Sequence, residues 1–169
     1  APCLQRQFAF EEWNWVDKEL VAAARQRAKE QIDWDLELDI SGSDIDARLV
    51  EIAKKNAQAA GVEADIHFKQ MRLQDLKTDK TNGVIISNPP YGERLLDDEA
   101  IVTLYREMGQ TFAPLETWSK FILTSDEQFE VRYGQQADKK RKLYNGTLKV
   151  DLYQFFGKRV KRSAQIQGG

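Results

Sequence analysis

GVIISNPPYGER (residues 83–94) is the stretch from which the rest of the chain can be read. GVIIS (83–87) is a short β-branched run opened by glycine, and it reads as a buried strand. It runs straight into Asn88-Pro89-Pro90-Tyr91. Each proline lacks an N–H, and each pushes the residue before it out of the helical region. A strand therefore delivers Asn88 and Tyr91 into a rigid, extended turn.

Working outward, residues 8–31 (FAFEEWNWVDKELVAAARQRAKEQ) predict a long helix from about Glu11, with Phe10, Trp13 and Trp15 as core contacts. WDLELDISGSD (34–44) predicts a strand ending in a Gly-Ser turn. DARLVEIAKKNAQAAG (46–61) is an amphipathic helix that Asp46 can cap and Gly61 can end. EADIHFKQM (63–71) alternates as a strand does, and His67 within it reads as structural. A helix is expected over 97–115, a strand over 118–125, a short helix over 126–134, and two strands over 141–156 around Asn145-Gly146. Strands alternating with helices favour an open, mostly parallel sheet with helices on both faces, and its ligands lie beyond the carboxyl ends of the strands. GSDID (42–46) and NPPY both fall at such ends.

The 169 residues suggest one domain, and 41% hydrophobic against 31% charged residues marks it as globular. No run approaches 18 apolar residues, so no membrane span is expected. Cys3 is the single cysteine, which excludes an internal disulfide, fits a reducing compartment and points to the cytoplasm. With His67 the single histidine, no metal is expected. No signal peptide is visible. The net charge of −2 hides an asymmetry. Residues 134–169 hold nine cations (Lys139, Lys140, Arg141, Lys142, Lys149, Lys158, Arg159, Lys161, Arg162) against Asp138 and Asp151, a net of +7. A basic end on an acidic body can be a phosphate-contacting face or a plain solvated tail.

The Asn-Pro-Pro geometry fixes two acceptors, the Asn88 side chain and the Pro89 carbonyl. Two acceptors pointing one way suit an exocyclic –NH2 of a nucleobase, whose lone pair is delocalised into the ring. Accepting both N–H groups out of plane raises its tetrahedral character and aims the lone pair outward. Tyr91 offers a flat ring for stacking, worth about 1–3 kcal/mol per base. Asp44 ends its strand in GSDID, where a carboxylate can take two hydrogen bonds from a ribose diol.

Asn88-Pro89-Pro90-Tyr91 resembles motif IV of the amino-methyltransferases, which move a methyl group from S-adenosylmethionine to an exocyclic base nitrogen. With FAFEEW (8–13), GSDID and KLYNGTLKVDLYQFF (142–156), the chain is similar to the bacterial large-subunit ribosomal RNA guanine-N2 methyltransferases that carry an N-terminal THUMP domain (RlmL-like). That family is often labelled adenine-N6 DNA methylase. The resemblance runs over essentially the whole chain. It implies a Rossmann-like sheet of seven strands whose last two form a hairpin, and S-adenosyl-L-methionine as cofactor. On this resemblance Asn88, Pro89, Pro90 and Tyr91 are the catalytic residues. Asp44, Ile45, Met71, Arg72 and Asn88 border the cofactor, and Lys139, Lys140, Arg141, Lys142, Tyr144 and Asn145 contact ribosomal RNA.

Two departures from the family pattern stand out. The glycine-rich cofactor loop, the central strand that feeds it and the THUMP domain would all precede residue 1. Residues 1–169 are thus expected to form part of one methyltransferase domain. The strands ending at Asp44 and Asn88 should not be hydrogen-bonded neighbours, and the segment by itself should not bind the cofactor. Arg72 stands where many relatives place an adenine-holding Asp, with Asp75 three residues on, so backbone groups around Met71 are the remaining adenine contacts. The motif alone does not separate guanine from adenine. Methylation of adenine-N6 in DNA and a non-catalytic nucleic-acid-binding module therefore stay open.

Stacking needs the ring of Tyr91 and not its hydroxyl. Tyr91→Phe is therefore expected to be mild and Tyr91→Ala severe when methyl transfer by the intact protein is measured. A Phe variant as damaged as the Ala variant would assign the work to the hydroxyl.

Overall fold

The computed structural model describes residues 6–90 and 98–158, which fall into two compact units, Ala1–Arg72 and Leu73–Gly169. Tyr91, Cys3 and the basic residues Arg159, Lys161 and Arg162 lie outside the described residues.

In the first unit the expected long helix is broken. A 3-10 turn covers Ala9–Glu12, and helix α1 begins only at Lys18, running to Glu30. Asp17 explains the break. Its carboxylate accepts the Glu19 N–H at 2.8 Å, so it caps a new helix rather than lying within an old one. Phe10, Trp13 and Trp15 are not core residues of the described structure, and Trp15 is 78% exposed. Trp13 and Trp15 pack on each other with centroids 5.1 Å apart.

The strand expected over 34–44 shortens to β1, Ile40–Asp44. Its partner β2 is Ile66–Gln70, and the parallel register runs from Ile40 opposite Ile66 to Asp44 opposite Gln70. The ladder starts at Ile40, and β2 supplies five residues to it. Helix α2, Ala47–Ala60, matches the sequence expectation closely. Asp46 caps it at the Arg48 N–H (2.8 Å). Gly61 at φ 69° ends it, with the Gly61 and Val62 N–H groups returning to the Gln58 and Ala57 carbonyls at 2.9 and 3.0 Å.

The second unit opens with a 3-10 turn, Leu73–Asp75, and continues through β3 (Val84–Ser87), α3 (Asp98–Phe112), β4 (Ser119–Thr124), α4 (Phe129–Tyr133), β5 (Lys139–Asn145) and β6 (Leu148–Phe155). Its sheet has the order β3-β4-β6-β5, with β3 and β4 parallel and the last two strands forming an antiparallel hairpin. Asn145 pairs with Leu148, so the hairpin turn is Gly146-Thr147, one residue later than the sequence suggests. Gly146 at φ 63° takes the first central position, where only glycine is unstrained. The strands ending at Asp44 and Asn88 lie in different sheets, as expected.

Strand alternation sorts the second sheet into two faces. One face carries Ile122, Tyr153 and Phe155 into a core with Ile101, Tyr105, Met108 and Phe112 of α3 and with Phe129 and Tyr133 of α4. The α3 residues recur at i, i+4, i+7 and i+11, one stripe of the helix. The other face carries Val84 and Ile86, and Ile86 is 82% exposed. GVIIS is therefore buried on one side only.

Gly109 lets α3 approach α4. A Cβ there would lie 2.0 Å from the Tyr133 carbonyl oxygen, a backbone atom that cannot swing aside. Alanine gains about 1 kcal/mol over glycine inside a helix, while forced overpacking costs about 1–3 kcal/mol and more where backbone is the obstacle. Gly109→Ala is therefore expected to lower unfolding stability by roughly 1–3 kcal/mol in urea denaturation. A stabilised variant would show that α3 slides freely.

Candidate active site and nucleic-acid interface

In the second unit Asn88 follows directly from the carboxyl end of β3 and is exposed, whereas Pro89 behind it is buried. A buried proline ring and an exposed amide give the turn an inside and an outside. Pro90 is half-buried, and its carbonyl accepts from the Tyr105 hydroxyl at 3.5 Å. The parallel neighbour β4 ends at Thr124, and the loop after it is held just as firmly. The Asp126 N–H donates to Thr124 Oγ1 (3.1 Å), and the Asp126 carboxylate accepts the Gln128 N–H (2.8 Å) and Arg132 Nη1 (2.6 Å). The Tyr153 hydroxyl donates to the Asp126 carbonyl at 3.1 Å. Burial, with Asp151 nearby, pushes the Tyr153 phenol up to about 12, so it remains a donor at neutral pH. Tyr105, Thr124 and Asp126 were not singled out by the sequence. Tyr105 falls on the apolar stripe of α3 and reads there as plain core.

In the first unit Asp44 closes β1, half-buried. Its Oδ1 accepts the Asp46 N–H at 2.8 Å, an Asx turn that fixes the carboxylate plane. Its Oδ2 carries no hydrogen bond among the described residues. A carboxylate with one oriented oxygen and one open oxygen at a strand end fits a ribose diol, as a cofactor of the nucleoside class would require. Asp46 is different. The Arg48 guanidinium, bonded at 2.7 Å, together with the Arg48 backbone N–H, holds its carboxyl down at about 2. Ile45 is exposed, and its carbonyl accepts Gln70 Nε2 at 3.0 Å. The Met71 N–H donates to the Asp44 carbonyl at 2.9 Å, so this donor of the expected adenine contacts is already committed. The Met71 side chain is half-buried and Arg72 is exposed. Asp75 belongs to the 3-10 turn Leu73–Asp75.

The basic segment forms an edge strand. Lys139, Lys140, Arg141, Lys142 and Tyr144 all lie on β5 and are exposed, which is where unpaired backbone and mobile cations meet solvent. Alternation divides them. Lys140 reaches Glu130 at 4.0 Å and lies over the Tyr153 ring, 5.1 Å from its centroid, and Lys142 stands opposite Asp151. Lys139 and Arg141 stand opposite Gln154 and Leu152 on the other face, with no ion pair among the described residues. Tyr144 stands opposite Lys149, which is bound to Glu127 at 2.9 Å. Asn145 closes β5, its backbone paired with Leu148. Among the described residues no cluster of His, Cys, Asp and Glu could hold a metal ion, and no helix is long and apolar enough to cross a membrane.

This arrangement, a sheet with parallel strands and a terminal antiparallel hairpin carrying its polar turns at strand carboxyl ends, is a Rossmann-like S-adenosylmethionine-dependent methyltransferase fold. Residues 1–154 match the family described as the RMKL-like methyltransferase domain (UPF0020), and the chain belongs to that family, whose cofactor is S-adenosyl-L-methionine. It is 50% identical over 158 residues to YpsC of Bacillus subtilis strain 168, named provisionally as an RNA methyltransferase; the match spans 94% of this chain and 41% of YpsC. It is 36% identical over 174 residues to a ribosomal RNA large subunit methyltransferase K/L of Shewanella sp. strain W3-18-1, covering 98% of this chain and 24% of that protein. The crystal structure of SMU.472, named provisionally as a methyltransferase and complexed with SAH, superposes with a TM-score of 0.85 at 66% identity, over 94% of this chain and 42% of that one. The chain thus spans a quarter to two-fifths of the length of these relatives.

If β5 contacts a polyanion, Lys139 and Arg141 carry most of the effect, because Lys140 and Lys142 face acidic partners. Lys139→Glu with Arg141→Glu is expected to weaken RNA binding and to flatten the plot of log affinity against log salt by about one unit per lost phosphate contact. Cofactor affinity should be unchanged. A filter-binding salt series with an unaltered slope would leave the strand as a solvated edge.

Proposed function

We propose that residues 1–169 are part of a methyltransferase domain that transfers a methyl group from S-adenosyl-L-methionine to the exocyclic N2 amine of a guanine in large-subunit ribosomal RNA. The observation that carries the reading is the exposed Asn88 amide at the carboxyl end of β3, set against the buried Pro89. What favours RNA is the resemblance of the whole chain together with the names of the relatives, and guanine within it rests on the resemblance alone.

Bound cofactor supplies an electrophilic methyl carbon on a sulfonium. Asn88 Oδ1 and the Pro89 carbonyl accept the two N–H groups of the base, which pulls the amine out of conjugation. The lone pair so freed would be the nucleophile for that methyl carbon, with the sulfide as leaving group, and the nitrogen would give up one proton to water. Tyr91 stacks the base, and Asp44 takes the ribose diol. The base must leave its helix to reach the turn, at a cost of a few kcal/mol. Stacking repays part of that cost, and the cations of β5 contribute phosphate contacts that hold the surrounding strand.

Asn88→Ala in the intact protein is expected to lower methyl transfer by roughly 10²-fold or more, the scale of losing one preorganised hydrogen-bonding group. Cofactor affinity should change far less. Single-turnover rates with a cofactor titration test the role, and near-normal turnover would overturn it. Mass analysis of the modified nucleoside decides between N2-methylguanine and N6-methyladenine.

A further inference from the structure

A turn that accepts an amine can work only if it is held while the amine rehybridises. The structure provides a line of hydrogen bonds behind Asn88-Pro89-Pro90, running through two buried hydroxyls. The Asp126 N–H can only donate, so Thr124 Oγ1 accepts it at 3.1 Å. The Pro90 carbonyl can only accept, so the Tyr105 hydroxyl donates to it at 3.5 Å. Tyr105 Oη and Thr124 Oγ1 are hydrogen-bonded at 2.9 Å, and with the Tyr105 proton on the Pro90 carbonyl it is Thr124 that donates and Tyr105 that accepts. In that sense the line runs N–H to hydroxyl to hydroxyl to carbonyl, and chains polarised one way strengthen each member.

Tyr105 and Thr124 are both 0% exposed, so the line is shielded from water along its middle. Its far end is fixed three times over, by Arg132, by the Gln128 N–H and by the Tyr153 hydroxyl, all on Asp126. Packing does not need the two hydroxyls. The Tyr105 ring meets Phe129 edge-on at 4.9 Å, a contact phenylalanine would make as well. A buried pair of hydroxyls costs desolvation that an apolar pair avoids, so their presence here calls for a role beyond filling space.

We infer that Tyr105 is a positioning residue for the methyl-acceptor turn: through Thr124 it ties the Pro90 carbonyl to the loop after β4, so that the two acceptors of Asn88-Pro89 keep their direction as the amine loads. The last link is long at 3.5 Å, and it is expected to shorten when the base pulls on the turn. This inference rests on the proposed role of Asn88.

The experiment is a set of isosteric variants in the intact protein, measured beside Asn88→Ala. Tyr105→Phe and Thr124→Val should each lower kcat by about tenfold, the scale of one such hydrogen bond, with KM for RNA and cofactor affinity within twofold of the parent. Thr124→Ser, which keeps the hydroxyl, should restore kcat. The double variant should be no worse than either single one, because both cut the same line. Melting temperatures establish folding, and if Tyr105→Phe does not fold, Thr124→Val against Thr124→Ser carries the comparison. Normal kcat in Tyr105→Phe beside an inactive Asn88→Ala would overturn the tether while leaving Asn88 in its role. Multiplicative losses in the double variant would also overturn it. Normal turnover in Asn88→Ala would instead remove the reading on which the tether rests.

Discussion

Phe129 is the residue on which the second unit depends. Its ring is 0% exposed and touches four others: Tyr153 at 4.7 Å, Tyr105 at 4.9 Å, Tyr133 at 5.1 Å and Phe155 at 6.5 Å between centroids. Those rings come from α3, α4 and β6, so one side chain ties both helices to the sheet. Each such pair is worth about 0.5–1.5 kcal/mol beyond the area it buries. Geometry matters more than the sum. Tyr105 and Tyr153 are held by their rings and present their hydroxyls at the carboxyl end of β4, where one meets Thr124 and the other the Asp126 carbonyl. An apolar cluster thereby sets the positions of polar groups.

That coupling explains how a short extended turn can stay rigid. Prolines fix φ at two consecutive positions but leave the carbonyls free to tilt. Tilt is limited from below, by a buried Pro89 and by the Tyr105 hydroxyl under Pro90. In the first unit the task is done by backbone instead. The Asp46 N–H orients the Asp44 carboxylate, and the Met71 N–H holds the Asp44 carbonyl, so the strand end is pinned from its own chain and from beyond β2. The two turns are held by different means, side-chain relay in one and local backbone closure in the other.

The elements were legible in the sequence wherever local chemistry settles them. Asp46 and Gly61 bracket α2 because a cap and a left-handed glycine act within a few residues. The helix at α3 and the succession of strands and helices along the second unit followed from periodicity and turn residues. Reading failed where the decision lies elsewhere in the chain. Residues 34–39 alternate as a strand should, yet β2 offers only five residues to pair with. Trp13 and Trp15 look like core by composition, and the Asp17 cap starts a new helix after them instead. In the candidate site, the placement of Asn88, Pro89 and Asp44 at strand ends was legible because prolines and turn carboxylates carry their geometry with them. Tyr105 and Thr124 were not. A tyrosine on an apolar stripe and a threonine at the end of a strand are both ordinary core, and only the fold brings their hydroxyls to 2.9 Å.

The same reasoning separates the cations of β5, which composition treats as one basic patch. A strand of alternating faces cannot offer four neighbouring charges to one phosphate backbone. Lys140 is drawn over Tyr153 and toward Glu130, and Lys142 stands across from a buried Asp151, so both have a carboxylate on their own face of the sheet. Lys139 and Arg141 share the other face with Gln154 and Leu152, which offer no carboxylate. Exposed charge without an internal counterion is what releases counterions from a polyanion, and charge already matched contributes little. The electrostatic footprint of this strand is therefore narrower than its sequence, and it lies on the face that α3 and α4 leave uncovered.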